Sequence, residues 1–350
     1  MSLYSSKTYI KDLETAASAV KELKKLNGAK ILITGASGLI GSFVVDVLVH
    51  YNEKNNAGIK ICATGRSITR LKERFDGICS DSLVFAEHDV NKVPDFDFSA
   101  DYVIHAASNA YPAAFNDYPV DTVMSNISGT YNLLEYCRRV SAKRFMFVSS
   151  GEVYGQGDLS LDAFSEDYSG YVDYLQPRSC YPAAKRTAET LCVSYTKQYG
   201  TDTVIARPCH TYGPNATPAD NRANVQFVNN ALAGNDIVLN SAGNQMRSYN
   251  YVADCVSAIL TVLINGESAK AYNIANPDVR TTIAGFAREV AEQTGHKLIF
   301  AKPDEVALAQ RTPIAKQVLD TARLTSLGWK GCYSLSKGIA HTLEVIRDKQ

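Results

Sequence analysis

The segment Lys30-Ile31-Leu32-Ile33-Thr34-Gly35-Ala36-Ser37-Gly38-Leu39-Ile40-Gly41 constrains the fold more than any other part of the chain. Ile31 to Ile33 is an apolar run without polar alternation, the pattern of a strand covered on both faces in a parallel sheet. After the three glycines, Leu39, Ile40, Phe43, Val44, Val47 and Leu48 recur at helical spacing. A strand that turns through glycines into a helix N-terminus presents free N–H donors and the positive end of a helix dipole, which suits a pyrophosphate. Gly35 permits the sharp turn, Gly38 the approach of a phosphate, and Gly41 close packing of helix on strand. The spacing is G-x-x-G-x-x-G rather than the commoner G-x-G-x-x-G, so the flanking strand and helix carry the inference of a dinucleotide site.

A chain of 350 residues with 45% hydrophobic composition can bury one large core with a satellite, or two cores. Its 36 basic and 36 acidic residues cancel, so no net field favours nucleic acid or an anionic membrane surface. The longest apolar runs, such as Val256 to Ile264, fall far short of the roughly 20 residues of a bilayer span, and the N-terminus lacks a signal-peptide pattern. The expectation is a soluble, cytoplasmic protein. Cys62, Cys79, Cys137, Cys180, Cys192, Cys209, Cys255 and Cys332 form no C-x-x-C pair, which fits reduced thiols better than disulfides or a metal site.

Residues 1–29 carry Leu13, Ala16, Ala17, Val20 and Leu23 at helical spacing and read as a surface helix leading into the first strand. Further strands are predicted at Ile59 to Thr64, Leu83 to Phe85, Tyr102 to Ser108, Arg144 to Ser150 and Thr203 to Arg207, with a helix over Pro119 to Val140 that carries Asn126. Strand and helix alternating over short links describe a doubly wound parallel sheet, an α/β Rossmann fold. After the second strand an NAD-preferring site usually offers a carboxylate; this chain offers Arg66, which could meet a 2′-phosphate or stack on adenine. Asp89, after the third strand, could reach an adenine amino group. Ala106 and Ala107 leave room for a ligand at the end of the fourth, and His105 reads as a packed core residue. From Pro208 the composition turns to loop chemistry. The division expected is a helical extension at 1–29, a dinucleotide-binding domain at 30–207 with 248–275 packing back on it, and a smaller substrate domain at 208–247 and 276–350.

Chemistry is expected at the end of the fifth strand, because open α/β sheets bind ligands at the carboxyl ends of their strands. Ser149-Ser150-Gly151-Glu152 places a hydroxyl and a carboxylate there. About thirty residues on, Tyr181-Pro182-Ala183-Ala184-Lys185 begins a helix, and i, i+4 spacing puts phenol and ammonium on one face. A neighbouring ammonium favours the phenolate, so the pair can act as a general base while Ser150 holds the substrate hydroxyl. The same spacing recurs at Tyr333 and Lys337; with no serine strand before it, that copy reads as surface sequence.

The glycine turn, Ser149-Ser150-x-Glu152-Val153-Tyr154-Gly155 and Tyr181-x-x-x-Lys185 resemble the extended short-chain dehydrogenase/reductases that modify nucleotide sugars, over residues 30 to about 330. Within that group, Pro177-Arg178-Ser179-Cys180-Tyr181, Tyr212-Gly213-Pro214, Asp220-Asn221-Arg222 and Gln245-Met246-Arg247-Ser248-Tyr249 are similar to UDP-glucuronate decarboxylases, with nucleotide-sugar 4,6-dehydratases next. The resemblance implies NAD or NADP on the sheet, a nucleotide sugar beneath a C-terminal domain, and a homodimer. It makes Ser150, Glu152, Tyr181 and Lys185 catalytic. Cofactor contacts are implied for Gly35, Gly38, Leu39, Ile40, Gly41, Arg66, Asp89, Val90, Ala106, Ala107, Asn126, Tyr181, Lys185 and Pro208. Substrate contacts are implied for Glu152, Arg178, His210, Arg222 and Arg247, with Arg247 near a departing carboxylate and Arg222 near the diphosphate.

Departures from the family pattern bear on the reaction. Gly151 stands where decarboxylases carry serine and dTDP-glucose dehydratases carry aspartate, and His210 stands where relatives place an asparagine. The expected activity is transient oxidation at C4 of a nucleotide hexose followed by decarboxylation, with dehydration or epimerisation as alternatives. A non-catalytic nucleotide-sugar sensor is the alternative of another class, and an intact Tyr181, Lys185 and Glu152 argue against it.

Overall fold

In the computed structural model, which describes residues 2–302 and 314–349, the central layer is a seven-stranded sheet. Residues 303–313 of the expected C-terminal portion lie outside the described residues. The strands are β1 (Lys30–Thr34), β2 (Lys60–Gly65), β3 (Leu83–Glu87), β4 (Tyr102–His105), β5 (Arg144–Val148), β6 (Thr203–Pro208), β7 (His210–Tyr212), β8 (Ile237–Leu239), β9 (Met246–Tyr251), β10 (Lys270–Ile274), β11 (Arg280–Thr282), β12 (Leu298–Phe300) and β13 (Lys316–Gln317). Helices are α1 (Lys7–Ala19), α2 (Leu39–Asn55), α3 (Ile68–Arg74), α4 (Pro112–Asp117), α5 (Pro119–Val140), α6 (Cys180–Tyr199), α7 (Ala223–Leu232), α8 (Val252–Asn265) and α9 (Ile283–Thr294), followed by Ala322–Ser326 and Leu335–Lys349.

The main sheet runs in the order β10-β6-β5-β4-β1-β2-β3, with every pairing parallel. Chain direction through the sheet reverses between β1 and β4, and a cleft opens at such a switch point beyond the strand ends. The expected doubly wound sheet is therefore present. β10 extends it by one edge strand beyond the six read from the sequence; Lys270-Ala271-Tyr272-Asn273-Ile274 carries neither a continuous apolar run nor a period-two alternation to announce it. Two smaller sheets lie to one side: β9 pairs with β7, β11 and β13, and β8 pairs with β12.

The N-terminal segment is not a surface helix. Tyr9, Leu13 and Ala16 of α1 are buried with α2 and α8 in the main core. This explains why α2 is apolar nearly all round: one side lies on the sheet and the other beneath α1, so Phe43, Val44, Val45, Val47 and Leu48 are all fully enclosed. The same covering buries Asp46 of α2, which is ion-paired with Arg74 at 2.5 Å and accepts hydrogen bonds from the Tyr4 and Tyr9 hydroxyls. Asp12 of α1 is likewise buried and accepts from Tyr251, Tyr333 and His341, tying α1 to β9 and to the final helix.

That contact corrects the reading of the second Tyr-x-x-x-Lys copy. Tyr333 is a core residue whose hydroxyl donates to Asp12 at 2.7 Å, and Lys337 lies 4.3 Å from the centre of its ring. His105 is packed as expected: its Nδ1 shares a 2.8 Å hydrogen bond with the Thr34 hydroxyl, and burial first of all, with the Lys185 and His88 charges, pushes its pKa down to about 3.

Replacing Arg74 with Met leaves the Asp46 carboxylate buried without its cation. The expected cost is about 3–5 kcal/mol of unfolding free energy, measurable by urea denaturation, against which a loss below about 1 kcal/mol would show that the two tyrosines alone satisfy Asp46.

Candidate active site

One cleft of about 790 Å³ runs along the carboxyl ends of the sheet strands. Gly35, Gly38, Leu39, Ile40 and Gly41 form one wall. Arg66, Asp89, Val90, Ala106 and Ala107 line it at the ends of β2, β3 and β4, and Ser150, Glu152, Tyr181, Lys185, Pro208, His210 and Arg222 line it beyond β5 and β6. The sequence reading thus brings most of its candidates to one cavity. Three do not reach it. Asn126 is fully buried on α5 and donates to the Thr122 carbonyl at 2.7 Å, while its neighbour Ser125 faces the cleft. Arg178 and Arg247 are not among the residues that line it.

The glycine turn divides into two functions. Gly35 has φ 66°, and a Cβ on it would lie 2.7 Å from the backbone of Ala106 and Ala107. A Cβ on Gly41 would lie 2.3 Å from the Gly35 carbonyl oxygen, so both positions are glycine because β1, β4 and α2 meet there. A Cβ on Gly38 would meet only the Gly35 carbonyl, at 3.3 Å, so its absence mainly leaves backbone open to the cleft. Gly38 is the N-cap of α2 and no side chain caps the helix. Its first-turn N–H groups and dipole end therefore face the cavity, a fit for the pyrophosphate of a dinucleotide.

At the mouth of β5 the two serines separate. Ser149 donates to Glu189 at 2.6 Å, and Glu189 in turn is held by Arg207, so Ser149 is structural. Ser150 faces the cleft and its hydroxyl accepts from the Glu152 backbone N–H at 3.1 Å. Tyr181 stacks on Phe115 with ring centroids 4.6 Å apart. Lys185 is buried: its Nζ donates to the Val148 carbonyl at 2.7 Å, 4.6 Å from the centre of the Phe147 ring.

The electrostatics differ from the expected acidified phenol. Burial first, and the Glu152 carboxylate second, push the Tyr181 phenol upward, while the Ser150 hydroxyl and the Arg222 and Arg178 guanidiniums pull the other way. Burial also dominates at Lys185 and brings the ammonium down to about 7. The spacing on the helix is as predicted, with Lys185 Nζ 5.6 Å from the centre of the Tyr181 ring. Spacing could not show that the ammonium turns to a strand carbonyl, nor that desolvation outweighs attraction.

Three guanidiniums named as substrate contacts from the sequence are already engaged within the protein. Arg178 contacts both oxygens of Glu152 at 3.3 Å and lies 4.5 Å from the centre of the Phe115 ring. Arg222 pairs with Asp220 at 2.5 Å. Arg247, 1% exposed, donates to the Met246, Ala315 and Ile314 carbonyls and pairs with no carboxylate among the described residues. His210 sits between these charges; burial first, then Arg247 and Arg222, hold its pKa well below the usual imidazole range, and its Nδ1 is buried without a partner among the described residues. His210 lines the cleft, where a neutral ring can accept or donate a hydrogen bond. Gln317, on β13, lines the same end and was not singled out from sequence, since a two-residue strand leaves no periodic signal.

The depressed Lys185 pKa has a testable consequence. Between about pH 7 and the unfolded value near ~10.4, the unfolded chain binds this proton and the folded chain does not, so this residue's contribution to stability rises with pH. In protein without added nucleotide, urea denaturation is expected to show wild type gaining on Lys185→Met by up to about 1.4 kcal/mol per pH unit from pH 7 to 9. A flat difference would show that Lys185 keeps its proton in the folded state.

Residues 31–275 match the model of the NAD dependent epimerase/dehydratase family. UDP-glucuronic acid decarboxylase 6 of Arabidopsis thaliana is 35% identical over 316 residues, covering 89% of this chain and 86% of that protein. UDP-glucuronic acid decarboxylase 1 of Xenopus tropicalis is 31% identical over 338 residues, covering 94% and 74%. Among solved structures, the fold is shared with a UDP-glucuronic acid 4-epimerase from Bacillus cereus in complex with UDP-glucuronic acid and NAD, at TM-score 0.75, 22% identity, and coverage of 92% and 100%. It is shared also with a dTDP-glucose 4,6-dehydratase from Streptomyces venezuelae with NAD bound, at TM-score 0.75, 21% identity, and coverage of 91% and 97%. With the family model matched over residues 31–275 and relatives at 31–35% identity along most of the chain, the protein with this cleft belongs to the NAD dependent epimerase/dehydratase family.

Proposed function

We propose that the protein is a UDP-glucuronate decarboxylase-like enzyme, with Ser150, Glu152, Tyr181 and Lys185 as its catalytic groups. The observation that carries this reading is the pairing of Glu152 with Arg178 beside Tyr181, next to a position 151 that bears no acid. Sequence similarity to decarboxylases along most of the chain supports it. Bound NAD would supply the acceptor and later the donor of the C4 hydride. Ser150 would hold the C4 hydroxyl, and Tyr181, its pKa raised by burial, would accept its proton as the phenolate that the positive nicotinamide ring of bound NAD favours beside it. The resulting 4-ketone would make a carboxylate at C5 a β-keto acid, which would lose carbon dioxide with the electron pair retained as an enolate; a proton from solvent at C5, return of the hydride to C4 and return of the Tyr181 proton to O4 would complete the cycle. Expulsion of the 6-hydroxyl from a neutral hexose needs an acid, and Gly151 supplies none, which disfavours dehydration.

Residues 208–247 and 276–350 would close over the sugar. Arg66 and Arg70 line the adenosine end of the cleft, and either could stack on adenine or meet a 2′-phosphate. A reducing compartment such as the cytoplasm is supported by eight cysteines that are all unpaired. Among the described residues no helix is long and apolar enough to cross a membrane. A homodimer is supported by Val120, Met124 and Tyr131 of α5 and Val193 and Tyr199 of α6, all exposed on the helices that cover one sheet face.

Incubation with NAD and UDP-glucuronate is expected to release carbon dioxide, with little 4-keto sugar formed from UDP-glucose or dTDP-glucose; turnover of neutral sugars alone would overturn the reading. Tyr181→Phe should lower kcat by about 10²–10⁴-fold while UDP binding is kept. Sedimentation is expected to show a dimer that Val120→Asp with Met124→Glu converts to monomer, and an unchanged mass in that variant would remove α5 from the interface.

A further inference from the structure

Gly151, buried just beyond β5, is packed by residues of the segment that includes β13. A Cβ on Gly151 would lie 3.4 Å from the Gln317 amide nitrogen and 3.3 Å from Leu319 Cδ1. Gln317 is only 3% exposed, yet it lines the cleft, and its amide forms no hydrogen bond among the described residues. Its backbone is fixed. β13 runs parallel to β9 with Gln317 opposite Arg247, and two residues on the Leu319 N–H donates to the Ser248 hydroxyl at 3.1 Å.

A primary amide held on an anchored strand and denied a protein partner is costly unless something in the cavity pairs with it. The cations near it are engaged: Arg247 by backbone carbonyls and Arg222 by Asp220. The Gln317 amide nitrogen is the nearest side-chain polar atom to the space that a Cβ at position 151 would take. Its chemistry also discriminates between reactions. An amide donates hydrogen bonds to a carboxylate but has no proton to give up, so it can hold a group that leaves as carbon dioxide and cannot assist one that must leave as water.

We propose that Gln317 is a specificity-determining residue whose amide N–H groups bind the carboxylate at C5 of a nucleotide hexuronate, in the place left by the missing side chain at position 151. The assignment rests on the decarboxylase reading above. It is compatible with the glycine at 151: a Cβ there would already touch Leu319 and the amide, so a longer side chain would compete for the space the amide borders.

The test is calorimetric titration of UDP-glucuronate, UDP-glucose and UDP into NAD-loaded Tyr181→Phe protein, which binds without turnover, with and without Gln317→Ala, Gln317→Glu or the near-isosteric Gln317→Met. With Gln317 intact, UDP-glucuronate is expected to bind more tightly than UDP-glucose. Each substitution should weaken UDP-glucuronate by about ten- to hundredfold, Gln317→Glu most, while UDP and UDP-glucose change less than about twofold. Unchanged UDP affinity certifies the fold, and Gln317→Met carries the comparison where the alanine variant is unstable. Variants that keep the parent's preference for UDP-glucuronate overturn this assignment alone. A parent with no such preference overturns the decarboxylase reading, and this assignment with it.

Discussion

The buried ammonium of Lys185 against the Val148 carbonyl is the contact on which the site depends. It joins the first turns of α6 to the last residue of β5, so that Tyr181, one helical turn earlier, stands over the strand end where Ser150 and Glu152 emerge. The cost is desolvation, visible in an ammonium brought down to about 7 and a phenol raised by burial. Both groups are held in geometry first and are electrically poised for neutrality, which leaves their charge state open to whatever occupies the cleft.

Opposite this pair the protein offers unneutralised backbone rather than side chains. The start of α2 has no capping side chain because its N-cap is Gly38, while Gly35 and Gly41 are imposed by contacts between β1, β4 and α2 themselves. An anion is thus favoured on one wall by helix geometry. On the other, the Arg178, Arg222 and Arg247 guanidiniums are locked into internal pairs or onto carbonyls, and the neutral groups His210 and Gln317 line the cleft there.

Rigidity at the distal side comes from the chain's two ends. Asp12 and Asp46 are enclosed carboxylates that bind α1 and the final helix to α2, α3 and β9 through tyrosines, an arginine and a histidine. Removing water from these groups makes the pairings conditional on all partners being present, so the N-terminal segment behaves as part of the sheet's cover.

Taken alone, the sequence determined the parallel sheet, the glycine turn and the placement of Ser150, Glu152, Tyr181 and Lys185 at one end of it. Each of these rests on local rules: apolar runs for buried strands, glycine where backbones touch, and helical spacing for the Tyr and Lys. Other features depended on partners distant in the chain. Whether α1 lies on the surface was decided by α2 and α8, and Tyr333 became a core residue because Asp12 lies beneath it. The Arg247 side chain was turned onto the carbonyls of Ile314 and Ala315, and Asn126 was held inside α5 by Thr122. The filling of the space beside Gly151 by Gln317 joins positions 166 residues apart in sequence, through β13 lying along β9. Desolvation and side-chain direction are properties of the packed state, and no spacing in the chain encodes them.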